Sequence, residues 1–464
     1  MRSNICIVGM GYVGLPLAVA FDAEGYDVTG FDVSPDVVDS LRSGVDTTGE
    51  IGDDRVEAGD VTFTDDPTAI GKAAYVVIAV PTPVDESHRP DLSYVESAGE
   101  TVGRHIERGA TVVLESTVYP GATEEVLLPA IERASGWVAG EDFFVGYSPE
   151  RAVPGDREHG LHNVVKIVSG RSEAVRDDLA DLYGSIVGAG VYRAPNIKVA
   201  EAAKCIENVQ RDVNIALVNE LAALFSNWDI DTHAVLEAAC TKWNFHKYQP
   251  GLVGGHCIPV DPYYLIHKAN RDGHTTELIE AARDVNNRVP ERLADMTLAA
   301  LAERADLVGR KVRPTTADEC VAGGVNAIGN GGASRDGRNE YERAADGSLL
   351  VFGLAYKPNT DDVRSSAIER CIATLRSAGV TLVGYDPHVD NATIERQFAI
   401  EAQEELSFEE FDGALIMTPH QEITECTLGG IREALSEHPI VVDPHAVFRH
   451  EGKRLQRAHE YVTL

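Results

Sequence analysis

Basic residues are scarce in this chain relative to acidic ones. Its 464 residues include 41 Lys and Arg against 74 Asp and Glu, which gives a formal net charge of -33 at pH 7. Nucleic acids and anionic membranes are bound through basic surfaces, so this balance argues against both as partners. A protein this acidic repels itself in dilute buffer and needs counterions. The composition therefore suggests a halophilic protein from a cell with high internal salt.

This charge excess predicts that stability depends on salt. Added KCl screens repulsion among the surface carboxylates, and we expect the free energy of unfolding to rise with it. Urea titrations over a series of KCl concentrations measure the effect. A protein most stable without added salt would contradict the high-salt hypothesis.

Long hydrophobic runs and paired cysteines are also missing. No segment approaches the roughly 20 apolar residues of a membrane helix, and the apolar start lacks the cleavage site of a signal peptide. We therefore expect a cytoplasmic protein. No CxxC pair or zinc spacing occurs, so we expect free thiols and no metal. The seven cysteines are Cys6, Cys205, Cys240, Cys257, Cys320, Cys371 and Cys426.

The chain is too long for one hydrophobic core, and its pattern predicts an α/β fold. Apolar runs alternate with helical patterns in the N-terminal region, which indicates a parallel sheet covered by helices on both faces. A mostly helical region follows, with helices predicted over 198–226 and 277–304. A smaller α/β domain begins near residue 349. Residues 312–346, rich in Gly, Asn, Asp and Ala, are interpreted as a mobile insertion. The predicted N-terminal strands are 5–8, 28–31, 75–80, 112–115 and 143–146.

Three glycines follow the first predicted strand, in the segment GMGYVG at residues 9–14. In a nucleotide-binding turn, Gly9 permits the tight turn, Gly11 lets the backbone approach a pyrophosphate, and Gly14 lets helix and strand pack closely. An ordinary glycine turn is the alternative for this motif alone. Asp32 closes the second strand, where it can accept hydrogen bonds from a ribose and would repel a 2′-phosphate. Motif, context and acid together predict that NAD binds here.

Polar residues also follow three other predicted strands. Thr82 lies in Pro-Thr-Pro, Thr117 follows Ser116, and Glu150 and Arg151 lie in the segment SPER. Parallel sheets of this kind bind ligands at the carboxyl ends of their strands. Plain turn residues, and a surface acid at Glu150, are the alternative interpretations.

Lys204 and Asn208 are four residues apart on the long predicted helix, so they share one face. Together they can stabilise a developing oxyanion. They belong to a polar stripe with Glu201, Asp212 and Asn219. The alternative is that Glu201, Lys204 and Asn208 form only a solvated face.

The segment GGHCIPVDP, residues 254–262, has the strongest chemical signature. Gly254 and Gly255 allow a backbone to approach a ligand, Cys257 follows, and Asp261 lies four residues further on. A thiolate near Lys204 can attack an aldehyde. Hydride loss from the thiohemiacetal then gives a thioester, which water hydrolyses. A packed cysteine without catalytic function is the alternative.

Nearly end to end, the chain resembles the UDP-glucose/GDP-mannose dehydrogenase superfamily. The matching segments, in family order, are GMGYVG, PTP, ESTVYPG, SPER, AEAAKCIENVQRDVNIALVNE, GLVGGHCIPVDPYY and YKPNTDDVRSS. The resemblance implies an NAD-binding Rossmann domain (1–197), a central long-helix dimerisation region (198–311) and a Rossmann-like UDP-binding domain (347–464). Within the superfamily, the chain resembles the branch acting on UDP-N-acetylhexosamines more than the UDP-glucose branch, on the segment NFHKYQPGLVGGHCIPVDPYYL. Residues 313–347 are longer than the usual family connection.

The resemblance also implies roles for individual residues. Cys257 would be the nucleophile, and Lys204 with Asn208 would stabilise the anionic intermediates. Asp261 would help position or activate water, with Thr117 nearby. Glu150 would serve in proton transfer or thioester hydrolysis. The implied cofactor contacts are Gly9, Gly11, Tyr12, Val13, Gly14, Asp32, Thr82, Thr117 and Arg364. The implied substrate contacts are Glu150, Arg151, Lys204, Asn208, Gly254, Gly255 and Lys357.

The expected reaction is four-electron oxidation of a UDP-N-acetylhexosamine to its uronate, for surface glycan synthesis, by a homodimer. UDP-N-acetylglucosamine is the first choice of substrate. UDP-N-acetylmannosamine and UDP-N-acetylgalactosamine stay open, because these epimers differ from it only in the direction of one amide or hydroxyl group. UDP-glucose is a further alternative. Two rivals are an isomerase that retains NAD and a catalytically silent nucleotide-sugar sensor. Neither needs Cys257.

Overall fold

The computed structural model describes residues 3–152, 159–255, 257–308, 347–364, 367–453, 455 and 460–464. The chain divides into two compact units. The first comprises Met1–Gln210 and Val260–Glu277, and the second comprises Arg211–Pro259 and Leu278–Leu464. The predicted insertion at 312–346 lies outside the described residues.

The first unit is built on a sheet with strand order β3-β2-β1-β4-β5-β6-β7-β8. Its first six strands follow the 3-2-1-4-5-6 order of a Rossmann fold. Neighbouring strands are parallel except β6 and β7, which pair antiparallel. The strands are β1 (Asn4–Val8), β2 (Asp27–Phe31), β3 (Thr62–Thr64), β4 (Tyr75–Ile78), β5 (Thr111–Leu114), β6 (Phe144–Tyr147), β7 (Lys166–Gly170) and β8 (Val191–Arg193).

Helices cover both faces of this sheet, because successive strand residues point in opposite directions and both sets are apolar. In β1, Ile5 and Ile7 enter one core, whereas Cys6 and Val8 enter the other. The helices are α1 (Gly14–Ala23), α2 (Pro35–Arg42), α3 (Asp53–Ala58), α4 (Ser93–His105), α5 (Leu128–Ser135) and α6 (Glu173–Gly184), with a 3₁₀ turn at Pro67–Lys72 and a π turn at Thr123–Leu127.

A 30-residue helix, α7 (Ile197–Ser226), runs from the first unit into the second. Three more helices follow it in the central part of the chain, and α9 begins at Asp261. They are α8 (Thr232–Ala239), α9 (Asp261–Arg271) and α10 (Glu277–Asn287).

The second unit has a parallel sheet with strand order β11-β10-β9-β12-β13-β14. Counted from its own first strand, this is again the 3-2-1-4-5-6 order, so the predicted Rossmann-like C-terminal fold is confirmed. The strands are β9 (Ser348–Phe352), β10 (Thr381–Tyr385), β11 (Glu401–Ala402), β12 (Gly413–Ile416), β13 (Ile440–Val442) and β14 (Tyr461–Val462). The helices are α11 (Val289–Leu307), α12 (Ile368–Ser377), α13 (Asn391–Phe398), α14 (Gln421–Thr424), α15 (Leu428–Ala434) and α16 (Arg449–Gly452).

One helix prediction is wrong in its extent. The helix predicted over 277–304 is two helices, because α10 ends at Asn287 and α11 begins at Val289. Pro290 lies in the first turn of α11, where its missing N–H is tolerated; inside a continuous helix it would clash with the preceding turn. In the described part of the chain, no helix is both long and apolar enough to span a bilayer.

Candidate functional site

The three glycines at residues 9–14 differ in what surrounds them. Gly9 has a φ of +97°, and a Cβ placed on it would lie 2.4 Å from the Ala79 carbonyl oxygen. A Cβ on Gly14 would lie 1.8 Å from the Gly9 carbonyl oxygen, whereas a Cβ on Gly11 would meet nothing within 4 Å. Gly9 and Gly14 are therefore required by the fold. Gly11 leaves open space at the start of α1, as a cradle for a pyrophosphate requires.

Asp32, directly after β2, is oriented by this same turn. Its Oδ2 accepts a hydrogen bond from the Met10 amide at 2.8 Å, and its Oδ1 accepts one from the Ser34 amide at 2.9 Å. The carboxylate is half-buried, and each oxygen keeps further acceptor capacity. The loop and the acid thus form one unit. Tyr12 and Val13 complete the turn, with Tyr12 exposed.

The segments after β4 and β5 are hydrogen-bonded to each other. The Ser116 hydroxyl accepts from the Val80 amide at 3.0 Å and donates to the Val80 carbonyl at 2.6 Å. The Thr82 hydroxyl donates to the Thr117 carbonyl at 2.8 Å. Tyr264 donates to the Thr82 carbonyl. The structure therefore brings Thr82 and Thr117 together at the carboxyl edge of the sheet.

The polar stripe of α7 is buried, so the solvated-stripe alternative is wrong. Side chains three and four residues apart share a helix face, and this face packs inward. Buried polar groups need hydrogen-bond or ion-pair partners, so the residues packed against this face must supply them. The buried members are Glu201, Lys204, Asn208, Asp212 and Asn219.

Asp261, at the start of α9, completes a group with Lys204 and Asn208 inside the first unit. The Asn208 Nδ2 donates to the Asp261 Oδ2 at 2.6 Å. Burial raises the pKa of Asp261 to about 6, against the lowering effect of the Lys204 cation and the Asn208 hydrogen bond. A buried ammonium, amide and carboxylate of perturbed pKa are suited to proton transfer and oxyanion stabilisation.

Glu150 and Arg151, which follow β6, are part of the structure rather than solvated surface residues. The Glu150 Oε1 accepts from the Arg151 amide at 2.7 Å and from the Ala152 amide. The Arg151 guanidinium pairs with Glu207 of α7 at 2.7 Å. Glu150 is 19% exposed, so the surface-acid interpretation is wrong.

In the second unit, the segment leading to Cys257 is held by side chains that the sequence did not single out for this purpose. The Asn219 amide group accepts from the Gly251 N–H at 2.8 Å and donates to the Gly251 carbonyl at 3.0 Å. Asn219 also donates to Asn286 at 2.8 Å, and Asn286 donates to Asp212 at 2.8 Å. Arg283 forms a buried ion pair with Asp212. This network connects the glycine-rich segment to α7 and α10.

Cys257 is an exposed thiol, which excludes the packed-cysteine alternative. Nearby, Gly255 has a φ of +85°, and a Cβ on it would lie 2.8 Å from the Tyr356 ring. The Lys357 ammonium lies 5.4 Å from the centre of that ring. The structure thus brings Gly254, Gly255 and Lys357 into one neighbourhood within the second unit.

Arg364 is held by Asp362 in a two-point contact, with Nε and Nη2 at 3.0 and 2.9 Å from the two carboxylate oxygens. The loop that carries Lys357 is fixed by His420, whose Nδ1 accepts from the Asn359 amide at 2.9 Å. With Nδ1 as acceptor, Nε2 carries the proton and donates to Asp386 at 3.0 Å. Asp386 follows β10 as Asp32 follows β2. Unlike Asp32, it is buried, and it accepts hydrogen bonds from the Leu354 and His388 amides and from His420.

The predicted site residues thus fall into two groups. The first unit contains the glycine loop, Asp32, Thr82, Thr117, Glu150, Arg151, Lys204, Asn208 and Asp261; the second contains Gly254, Gly255, Cys257, Lys357 and Arg364. Among the described residues, no cluster of His, Cys, Asp or Glu could hold a metal ion.

Comparison with known proteins gives three family matches in chain order. Residues 3–187 match the NAD binding domain, 198–288 the central domain, and 350–450 the UDP binding domain of the UDP-glucose/GDP-mannose dehydrogenase family. The chain is 41% identical to Protein CapL of Staphylococcus aureus over 92% of each chain. It is 39% identical to the UDP-N-acetyl-D-glucosamine 6-dehydrogenase of Salmonella typhi, again over 92% of each. The solved UDP-D-ManNAc dehydrogenase of Pyrococcus horikoshii superposes with a TM-score of 0.82 at 30% identity, covering 99% of this chain and 98% of that one.

Proposed function

The chain belongs to the UDP-glucose/GDP-mannose dehydrogenase family and is an NAD-dependent UDP-sugar dehydrogenase, and we propose that it oxidises the C6 hydroxyl of UDP-N-acetylglucosamine to a carboxylate. The buried group of Lys204, Asn208 and Asp261 is the observation that supports this chemistry most strongly. The relative from Salmonella typhi supports the choice of sugar, at 39% identity over 92% of the chain.

The overall reaction converts R–CH₂OH, water and two NAD⁺ into R–COO⁻, two NADH and three H⁺. NAD, when bound, would supply the hydride acceptor for each oxidation. The residues that would hold it are Gly9, Gly11, Tyr12, Val13, Gly14 and Asp32, with Thr82, Thr117 and Arg364. The open space at Gly11 and the oriented Asp32 carboxylate fit a dinucleotide.

The protein's own residues act on the sugar carbon between and after the two oxidations. The Cys257 thiolate adds to the aldehyde carbon, forming a C–S bond and an alkoxide that takes up a proton. After the second oxidation the sulfur is bonded to an acyl carbon. Water then attacks that carbon, the C–S bond breaks, and Cys257 leaves as thiolate.

The first unit supplies charge stabilisation and proton transfer for these steps. The Lys204 ammonium and the Asn208 amide stabilise oxygen anions on C6. Asp261, whose pKa is raised to about 6 by burial, positions water with Thr117. Glu150 takes a proton from the water that hydrolyses the thioester. Substrate contacts are proposed for Arg151, Gly254, Gly255 and Lys357.

Product stoichiometry tests the reaction and the substrate together. We expect about two NADH per sugar consumed, because each of two successive oxidations releases one hydride. The assay compares UDP-N-acetylglucosamine, UDP-N-acetylmannosamine, UDP-N-acetylgalactosamine and UDP-glucose in high-salt buffer. A clear preference for the mannosamine sugar would support the second candidate, which the Pyrococcus horikoshii structure favours. No net NADH from any sugar would favour the isomerase or the silent sensor.

We also propose that the protein is a homodimer that pairs through α7. Apolar side chains on this helix are exposed along a line opposite to much of the buried polar stripe. At about 100° of rotation per residue, these side chains project from the helix axis within about 20° of one another. An exposed apolar stripe of this length is typical of a subunit interface. Its members are Val199, Ile206, Leu217 and Leu224.

Charge placed on this stripe should separate the subunits. Ile206 and Leu217 are 58% and 56% exposed, so Ile206→Arg and Leu217→Arg disturb the fold little but place a cation in an apolar interface. We expect the mass from light scattering to fall by about half for each variant. The control is Lys198→Arg, at an exposed position of the same helix. An unchanged mass for both interface variants would contradict pairing through α7.

The cytoplasmic location, the role in surface glycan synthesis, and the boundaries at residues 197, 311 and 346 stay part of this proposal. They follow from the sequence and from the family's chemistry.

A further inference from the structure

Two buried charged residues, Lys166 and Glu115, lie next to Glu150. Glu115 directly follows β5, and Pro149 and Glu150 follow β6. Lys166 is the first residue of β7, which runs antiparallel to β6. The start of β7 therefore lies at the same edge of the sheet as the ends of β5 and β6.

The Lys166 ammonium contacts three groups at this edge. Its Nζ donates to the Glu115 Oε2 at 2.7 Å and to the Pro149 carbonyl at 3.0 Å, and it lies 3.9 Å from the Glu150 Oε2. Lys166 and Glu115 are 2% and 0% exposed. A charge this deeply buried persists only with a partner, so Glu115 is what keeps the ammonium in place.

Glu150 is thereby held from two sides. Its Oε1 accepts two backbone amides, and its Oε2 faces Lys166. Burial raises the pKa of Glu115 to about 7 against the lowering effect of Lys166. The Lys166 ammonium thus lies within reach of both carboxylates, hydrogen-bonded to Glu115 and facing Glu150. The Tyr183 ring, 5.3 Å from the ammonium, closes the other side.

We propose that Lys166, anchored by Glu115, is a positioning residue that fixes the Glu150 carboxylate for thioester hydrolysis. This inference rests on the proposed role of Glu150. Lys166 acts through Glu150 and not on the sugar, so its loss frees that carboxylate to rotate and slows hydrolysis alone. The hydride steps and the binding of both substrates do not depend on it.

The test is the double variant Glu115→Gln with Lys166→Met, which removes both buried charges and leaves neither unpaired. We expect kcat to fall at least about tenfold and KM to fall with it, because only a step after acyl-enzyme formation is slowed; kcat/KM for UDP-N-acetylglucosamine and for NAD should stay within about twofold of wild type. Rapid mixing should show a burst of about two NADH per subunit before a slow steady state, because acyl-enzyme accumulates. A purely structural role would produce no burst.

The matched control is Glu96→Gln with Arg133→Met, which removes an exposed ion pair of 2.7 Å in the same unit. It should keep wild-type kcat and show no burst. A second test of the same proposal is Lys166→Arg, which keeps the charge but is one atom longer and is displaced from Pro149 and Glu150. It too should show the burst, and it covers the case in which the double variant does not fold.

Wild-type turnover by a folded double variant, or by Lys166→Arg, would overturn the inference. Glu150→Gln separates that failure from failure of the proposed role. If Glu150→Gln is slow and shows the burst while the Lys166 variants turn over normally, only the inference fails. If Glu150→Gln turns over normally, the role proposed for Glu150 fails and the inference with it.

Discussion

Cys257→Ser should abolish carboxylate formation while NAD still binds. The hydroxyl of serine ionises far less readily than a thiol near neutral pH, so the variant has no effective nucleophile for the aldehyde. We expect production of the uronate to fall at least about 1,000-fold, which is the scale of losing a covalent nucleophile. The measurements are uronate formation by chromatography and the Kd for NAD by calorimetry.

The control for this variant is Cys240→Ser. Cys240 is a partly exposed thiol of the same unit, so its substitution tests the general effect of replacing sulfur by oxygen. It should keep wild-type turnover. Full uronate formation by Cys257→Ser would refute the thioester route, although the dehydrogenase fold and its NAD site would stand.

The glycine loop was predictable because its constraints are local. The positive φ of Gly9, the contact between Gly14 and the Gly9 carbonyl, and the open space at Gly11 all arise within one strand–turn–helix segment. Asp32 is set by the same turn, since one of its oxygens accepts the Met10 amide. The spacing of the glycines and of Asp32 was therefore enough to predict both the strand–turn–helix segment and the nucleotide site.

The residues that position the chemistry were harder to predict, because they meet across long distances in the chain. Lys166 reaches Glu115, 51 residues away, through an antiparallel strand that the hydrophobic pattern did not reveal. Asn219 holds Gly251 across 32 residues, and His420 holds Asn359 across 61. In each case the residue type is ordinary, and only the tertiary fold shows what it contacts.

Burial was the second quantity that the sequence left open. Lys204 and Asn208 are as consistent with a solvated helix face as with a catalytic one when spacing alone is considered. The structure decides between them by burying the stripe and placing Asp261 against Asn208. The spacing in the sequence thus identified Lys204 and Asn208 as candidates, whereas the folded structure showed that they are buried and which charged group lies beside them.

Lys204→Ala should lower turnover far more than it lowers NAD affinity. The buried ammonium stabilises oxygen anions that exist only during the reaction, so its removal costs transition-state binding. We expect kcat to fall by about 100- to 1,000-fold, with the Kd for NAD changed by less than about twofold. Lys198→Ala, an exposed lysine on the same helix, is the matched control and should leave kcat unchanged.

The same variant should shift the pH dependence of turnover in a defined direction. Burial raises the pKa of Asp261 to about 6, and the Lys204 cation opposes that rise. Without the cation the pKa of Asp261 goes higher, so more of this carboxyl is protonated at a given pH. If ionised Asp261 positions the attacking water, the acid limb of the kcat profile moves to higher pH in Lys204→Ala. Asp261→Asn should remove that limb. An unshifted limb would show that ionisation of Asp261 does not set it. A loss of NAD affinity larger than the loss of kcat would show that Lys204 has no oxyanion role and serves cofactor binding instead.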